Sequence, residues 1–327
     1  MRNLKSTSVL AILLVAAAAG VQAQTVKATF NYPAGVSEVA VDYVANRAYV
    51  LLPSYPSAGA NAVQVLDGSD NTVLATYAVP VANAIAVNIV TGTVYVAGAE
   101  TTANGGTEST VVAVNPNTGA VIATIPVSTT PGSGIVALAV DPFTDRVFVS
   151  NDTSNAINII NGKTNTLTST VNLNGQVPNG IAVNFLTGKV YAALNNNQVA
   201  ILSEKNDSVA YATYGSQTSG IAVDLILDRE YVTDGVFSAA TVGVLNQSGA
   251  TVASVPVGLF PQGVDADFVT SLVFVANEAD GTVSKIDAQS NSVVSTTTVP
   301  VNTLAVNPRE GTVYVAGPTS VTVLSEN

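Results

Sequence analysis

Gly180-Ile181-Ala182-Val183-Asn184-Phe185-Leu186-Thr187-Gly188-Lys189-Val190-Tyr191 is one of seven related stretches in the chain. In each, an apolar run closes on an acid or amide, at Asp42, Asn88, Asp141, Asn184, Asp224, Asp267 and Asn307. An aromatic follows seven residues later, at Tyr49, Tyr95, Phe148, Tyr191, Tyr231, Phe274 and Tyr314. Successive anchors lie 46, 53, 43, 40, 43 and 40 residues apart, close to the period of roughly 40–50 expected of four-stranded propeller blades. The repeat predicts an all-β fold, a seven-bladed β-propeller of four-stranded antiparallel blades. It also overrides the chain length, which alone would suggest two domains, and predicts a single domain over residues 24–327.

Within one period the pattern reads as a four-strand meander. The Ile-Ala-Val-Asx run is innermost and the aromatic lies on the second strand. Val63-Gln64-Val65-Leu66-Asp67 typifies the third strand and Val121-Ile122-Ala123-Thr124-Ile125 the fourth. Val, Ile, Thr and Tyr suit pleated, buried strands. Inner strands apolar at successive positions suit sheets covered on both faces by neighbouring blades. Thr91-Gly92, Thr187-Gly188 and Glu310-Gly311 place glycine in the hairpin between strands one and two, as turn chemistry favours.

The two ends of the chain complement each other. Blade seven has three strand patterns, Thr303–Val306, Thr312–Ala316 and Ser320–Leu324, and then the sequence stops. Residues 24–33 match the fourth strand of the next unit, Thr72–Pro80. The N-terminal strand is therefore expected to complete the last blade.

The Asp/Asn column invites reading as a ring of ligands. A short carboxylate or amide at a strand end, however, accepts backbone N–H groups and nucleates a hairpin, which every blade requires. The aromatic column is likewise expected to pack in the core.

Phe148-Val149-Ser150-Asn151, then Thr153 to Ile160 and Thr164-Asn165-Thr166-Leu167, resembles the YVTN β-propeller repeat. Phe274-Val275-Ala276-Asn277 with Gly281 to Asp287, Ser290 to Val294 and Pro300 is similar to it as well. The resemblance implies a seven-bladed propeller in an exported or cell-surface protein of bacteria or archaea, acting as a binding or scaffolding module. It implies no shared catalytic residues. Ala97-Gly98, Ala193-Leu194, Ala316-Gly317 and Thr233-Asp234 depart from the repeat's Thr-Asn ending.

Residues 1–23 read as a secretory signal peptide, with Arg2 and Lys5, an apolar run from Val9 to Gly20, and a small-x-small site at Val21-Gln22-Ala23. That run is shorter than the roughly 20 residues of a transmembrane helix. No cysteine stands at the site to carry a lipid anchor. Export to the periplasm, the medium or the cell surface of a bacterium is the expectation.

After removal of residues 1–23, 9 basic residues face 22 acidic ones, for a net charge of −13. Such a charge repels phosphate and anionic lipid, and the basic footprint of a nucleic-acid binder is missing. The mature chain holds no His, Cys or Trp. Disulfides, haem or copper ligation, His- or Cys-based zinc sites and His-dependent nucleophilic mechanisms all lack their residues. No cofactor and no metal is assigned.

Carboxylates and loops remain. Asp265 is the one charge in a column otherwise filled by Ala40, Ala86, Ala139, Ala182, Ala222 and Ala305, which places an acid in or beside the central channel. Asn277-Glu278-Ala279-Asp280-Gly281 and Asn151-Asp152-Thr153 carry oxygen ligands but not the spacing of a defined calcium loop. The gap from aromatic to third strand is 14 residues in blade one and 16 in blade two, against 7 to 11 elsewhere. These long loops and Ser128–Gly134 are expected on one rim, bearing Tyr55, Asn61, Glu100, Asn104, Glu108 and Thr130. Binding residues favour such loops. The expected function is a monomeric, non-enzymatic module that binds a protein, peptide or glycan. The alternative is a lyase- or lactonase-type enzyme using Asp265 or Glu38, with or without a divalent metal.

Overall fold

A computed structural model describes residues 24–55, 57, 59–101, 107–128 and 134–326. Their strands form seven four-stranded antiparallel sheets. The inner strands are Glu38–Asp42, Ala84–Val87, Ile135–Asp141, Pro178–Asn184, Thr218–Asp224, Pro261–Asp267 and Thr303–Asn307. Each lies against the next, and the seventh returns to the first, closing the ring. The expected seven-bladed propeller is the observed fold.

Closure also follows the expectation. The N-terminal strand Val26–Asn31 pairs antiparallel with Ser320–Ser325, from Asn31 opposite Ser320 to Val26 opposite Leu324. Beyond the ladder, the Thr25 N–H donates to Ser325 Oγ at 2.9 Å, and the Tyr32 hydroxyl donates to Gln64 Oε1 at 2.5 Å in blade one.

The core is seven cores, one between each pair of neighbouring blades. Tyr49, Leu51 and Val63 of blade one pack against Ile85, Val94 and Val112 of blade two, and six analogous clusters complete the circle. All seven column aromatics are fully buried there. Because second and third strands are covered on both faces, they read as continuous apolar runs. Outer strands alternate exposed and half-buried residues, as in Val73–Val79.

Every Asx anchor does the same local work. Asp42 Oδ1 accepts the N–H groups of Val44 and Ala45 at 3.0 and 2.8 Å. Asn88, Asp141, Asn184, Asp224 and Asp267 repeat this pair of bonds, and Asn307 accepts from Arg309. Four residues after each anchor the chain turns left-handed, at Asn46, Gly92, Asp145, Gly188, Asp228, Ser271 and Gly311. Only three of these are glycine. Asn and Asp tolerate this conformation at modest cost, which explains Asn46, Asp145 and Asp228; Ser271 adopts it without that advantage.

Adjacent blades are latched at this face by long side chains. Arg146 reaches the Glu204 carbonyl at 2.9 Å and the Asp207 carboxylate at 2.7 Å. Lys189 reaches the Gln247 carbonyl, Arg229 that of Ala288, and Arg309 that of Val44. Where inner strands converge, glycine is required: a Cβ on Gly180 would meet the Ser219 carbonyl oxygen at 2.7 Å, and one on Gly220 would meet the Gln262 carbonyl oxygen.

Candidate functional site

The inner strands are sheet edges, and a sheet edge keeps one row of N–H and C=O groups unpaired. Seven such edges turned inward give a channel whose wall is polar through its backbone, although its side chains are mostly Ala and Val. The cavity has a volume of about 610 Å³, within the range of ligand sites. At the end where the inner strands begin, its mouth is ringed by Ser37, Asn83, Asn179, Ser219, Gln262 and Asn302. At the other end stand Tyr43, Phe185, Leu225 and Phe268.

Glu38 and Asp265 both line this cavity. Glu38 Oε2 accepts the Ile85 N–H of blade two at 2.7 Å. Asp265 Oδ2 accepts the Val306 N–H of blade seven at 2.8 Å, and its Oδ1 accepts the N–H of Ala266 at 2.8 Å. Each carboxylate thus caps an edge donor of the following blade. Recession into the channel pushes the Glu38 carboxyl up to about 8, with the Ile85 N–H pulling it down. The same cause raises Asp265 to about 6 against two backbone donors. Burial of the charged form outweighs the hydrogen bonds in both.

The mouth ring is partly spent on the fold. Ser37 donates to the Ala82 carbonyl, Asn179 to that of Thr218, and Ser219 to Gln262 Oε1. These bonds stitch neighbouring blades together.

The rim residues divide. Tyr55 is half-buried and meets Tyr32 edge-on at 6.4 Å between ring centres. Asn61 braces its own loop, accepting from Ser54 at 3.4 Å and donating to the Pro80 carbonyl at 3.1 Å. Asn104 and Thr130 lie outside the described residues. Glu100 and Glu108 are brought together: the insertion in blade two lengthens its second and third strands to Val94–Thr101 and Thr107–Val114, and the two glutamates are direct cross-strand partners. Both are half-buried. Directly opposed like charges destabilise a strand pair, so this finger carries a local electrostatic cost.

The two calcium candidates are occupied otherwise. Asp280 accepts the Leu259 N–H, Asn277 donates to Thr282 and Ser284, and Asn151 donates to Asn158. Among the described residues no three acidic side chains converge as a metal site.

Charge is segregated between the two faces in a way the sequence reading missed. Loops joining strands two and three, and those entering each new blade, share the face of the polar mouth. That face carries Glu38, Glu100, Glu108, Asp152, Asp234, Glu278 and Asp280, and no Lys or Arg among the described residues. All nine bases after residue 23 stand at, or reach toward, the opposite face. The signal was available, since it needs only the type of turn on which each charge falls.

No protein-family model matches the chain, and no curated protein does. The functional reading therefore rests on the geometry.

Proposed function

We propose that this propeller is an exported, non-enzymatic binding module that captures a basic peptide or protein segment on its carboxylate-only face. The observation that carries the reading is the Glu100–Glu108 pair on a face without cations among the described residues. A cationic partner would relieve that repulsion, and the acidic field would speed its approach. The polar mouth on the same face offers backbone and amide groups for an extended segment. The leader-like residues 1–23 and the resemblance to YVTN repeats support export and a binding role. Enzyme chemistry on Asp265 or Glu38 has less support, because each carboxylate is already committed to a backbone N–H of the next blade.

Calorimetric titration of the chain from Gln24 onward with a Lys/Arg-rich peptide tests this. Binding should weaken with salt and fall about tenfold in the Glu100→Gln/Glu108→Gln variant, the size expected for losing about 1.4 kcal/mol of charge pairing. Absence of salt-sensitive binding, or an unchanged affinity in the variant, would remove the reading.

A further inference from the structure

The central channel differs from side to side. Its two carboxylates, Glu38 of blade one and Asp265 of blade six, flank blade seven, which adds Asn302 and Thr303 to the lining. Among the described residues the Asn302 carboxamide and the Thr303 hydroxyl hold no hydrogen bond. Across the ring, blades three and four present Val136, Leu138 and Ile181. Val136 is the one apolar residue in the register of the mouth ring and is 40% exposed. The acids have no counter-ion, since no Lys or Arg lines the cavity among the described residues. Glu38 is held through Oε2 alone, and each Asp265 oxygen takes one backbone N–H. A carboxylate accepts about four hydrogen bonds, so these contacts fix the direction of both groups and leave acceptor sites open. Carboxylates withdrawn from water without a cation are costly to keep charged. They also stand at different depths. Ring residues such as Asn302 lie five residues before the blade's anchor, Glu38 four and Asp265 two. At about 3.4 Å per residue, Asp265 lies about 10 Å below the mouth and Glu38 about 3 Å.

We propose that the channel binds an alkylammonium group, which enters from the carboxylate-only face and sets its nitrogen between Glu38 and Asp265 with its hydrocarbon stem toward the side of Val136, Leu138 and Ile181. Charge, donor geometry and shape select this ligand. An ammonium is a point charge with three donors on a flexible stem, so it can serve two carboxylates at different depths on different blades. The planar fork of a guanidinium matches the two oxygens of a single carboxylate instead. A calcium ion takes six to eight oxygens, and no three acidic side chains converge here among the described residues. A four-carbon stem covers the distance from the mouth to the upper carboxylate, and the cavity of about 610 Å³ has room for it. A lysine side chain and a free alkylamine offer the same chemistry. The lysine source rests on the capture of a basic segment proposed above, and the free amine does not. Titration supplies a further readout. Recession into the channel lifts Glu38 to about 8 and Asp265 to about 6. Tyr43 is the only other titratable group in the lining, and the neighbouring Asp267 adds to the rise of Asp265. Both carboxyls gain charge between pH 6 and pH 8 while an amine stays protonated, so affinity rises across that interval.

Calorimetric titration of the chain from Gln24 onward at pH 8 tests the proposal with three probes: 1-aminobutane, its uncharged counterpart 1-butanol, and a Gly-Lys-Gly peptide blocked at both ends. The amine should bind one to one, at least about tenfold more tightly than the alcohol, and more weakly as the pH is lowered to 6. Glu38→Gln and Asp265→Asn each keep an oxygen for the Ile85 or Val306 N–H and remove the charge. Each should weaken amine binding about tenfold while keeping a cooperative melting transition at pH 8, which separates lost binding from lost fold. Binding of the peptide as well as the amine supports the proposal with lysine as the source, and binding of the amine alone supports it with a free amine. No binding of 1-aminobutane, binding no tighter than that of 1-butanol, or undiminished binding in both variants would overturn it. Glu100→Gln/Glu108→Gln should leave 1-aminobutane binding unchanged, so the channel and the captured segment fail or stand separately.

Discussion

Asp265 and Val306 lie in different blades, and the carboxylate of one holds the backbone of the other: Asp265 Oδ2 accepts the Val306 N–H at 2.8 Å. The other six blades place Ala at this position, so the link is an addition to the ring and not a condition of it. Burial raises the Asp265 carboxyl to about 6. A raised carboxyl contributes stability that is present below its unfolded value and lost as pH rises through about 6. Asp265→Ala should therefore lower the melting temperature at pH 4 and leave it equal or higher at pH 8. A large loss at both pH values would show that the link is required for closure.

The same sign applies to a wider group. Burial lifts Glu326 to about 8, aided by the neighbouring Asp267, and Glu204 to about 7, aided by Asp141 against the pull of Arg146. Glu230, fully buried on a second strand where other blades carry aliphatic or Ala side chains, also rises to about 7. All three bind protons more tightly folded than unfolded, so stability is greatest near pH 5 and declines toward pH 8. Melting curves across that interval should fall monotonically, and Glu326→Gln should flatten the upper part of the decline. A melting temperature that climbs from pH 5 to pH 8 would contradict the burial of these carboxyls.

Asp224 Oδ1 accepts the Ile226 and Leu227 N–H groups at 2.9 and 3.0 Å. Asp224→Ala strands both donors beneath the hairpin and should cost about 1–3 kcal/mol. Asp224→Asn keeps the accepting oxygen, as Asn88, Asn184 and Asn307 do in their blades, and should cost less than about 1 kcal/mol. Chemical denaturation of the two variants gives the comparison. Equal losses would mean that charge, and not the acceptor, matters at the anchor.

Most of the fold was legible because a propeller writes each structural need seven times. The Asx acceptor, the buried aromatic and the missing fourth strand of blade seven all stand in columns of the sequence. What escaped the reading depends on relations between columns. Left-handed Asn46, Asp145, Asp228 and Ser271 replace glycine and do not announce themselves. Val44, Val90, Phe143, Leu186, Ile226 and Val269, all exposed two residues after their anchors, look like core in sequence, since apolar residues next to a strand usually are; only the turn geometry points them outward. Loop length located the finger that pairs Glu100 with Glu108, but it could not separate that pair from Asn61, whose side chain is consumed in bracing its loop.

Deleting the N-terminal strand tests closure. A chain beginning at Gly35 loses the ladder to Ser320–Ser325 and the Tyr32–Gln64 bond. It also uncovers Val321 and Val323, which are buried in the cluster between blades seven and one. Each backbone bond contributes about 0.5–1.5 kcal/mol net, so losing the whole ladder should abolish cooperative melting. An unchanged transition would show that the ring holds without its clasp.

The Glu100–Glu108 pair allows binding and stability to be driven in opposite directions. Glu108→Lys replaces a repelling cross-strand pair by an attracting one, which should stabilise the finger by about 0.2–1 kcal/mol. The same substitution places a cation on the face that has none among the described residues and should weaken capture of a basic peptide more than the double glutamine variant does. A structural explanation of the glutamates predicts no effect on peptide binding, and an explanation by mere misfolding predicts lower stability. Higher thermal stability together with lost binding in one protein is the outcome expected of a like-charged pair that faces a cationic partner.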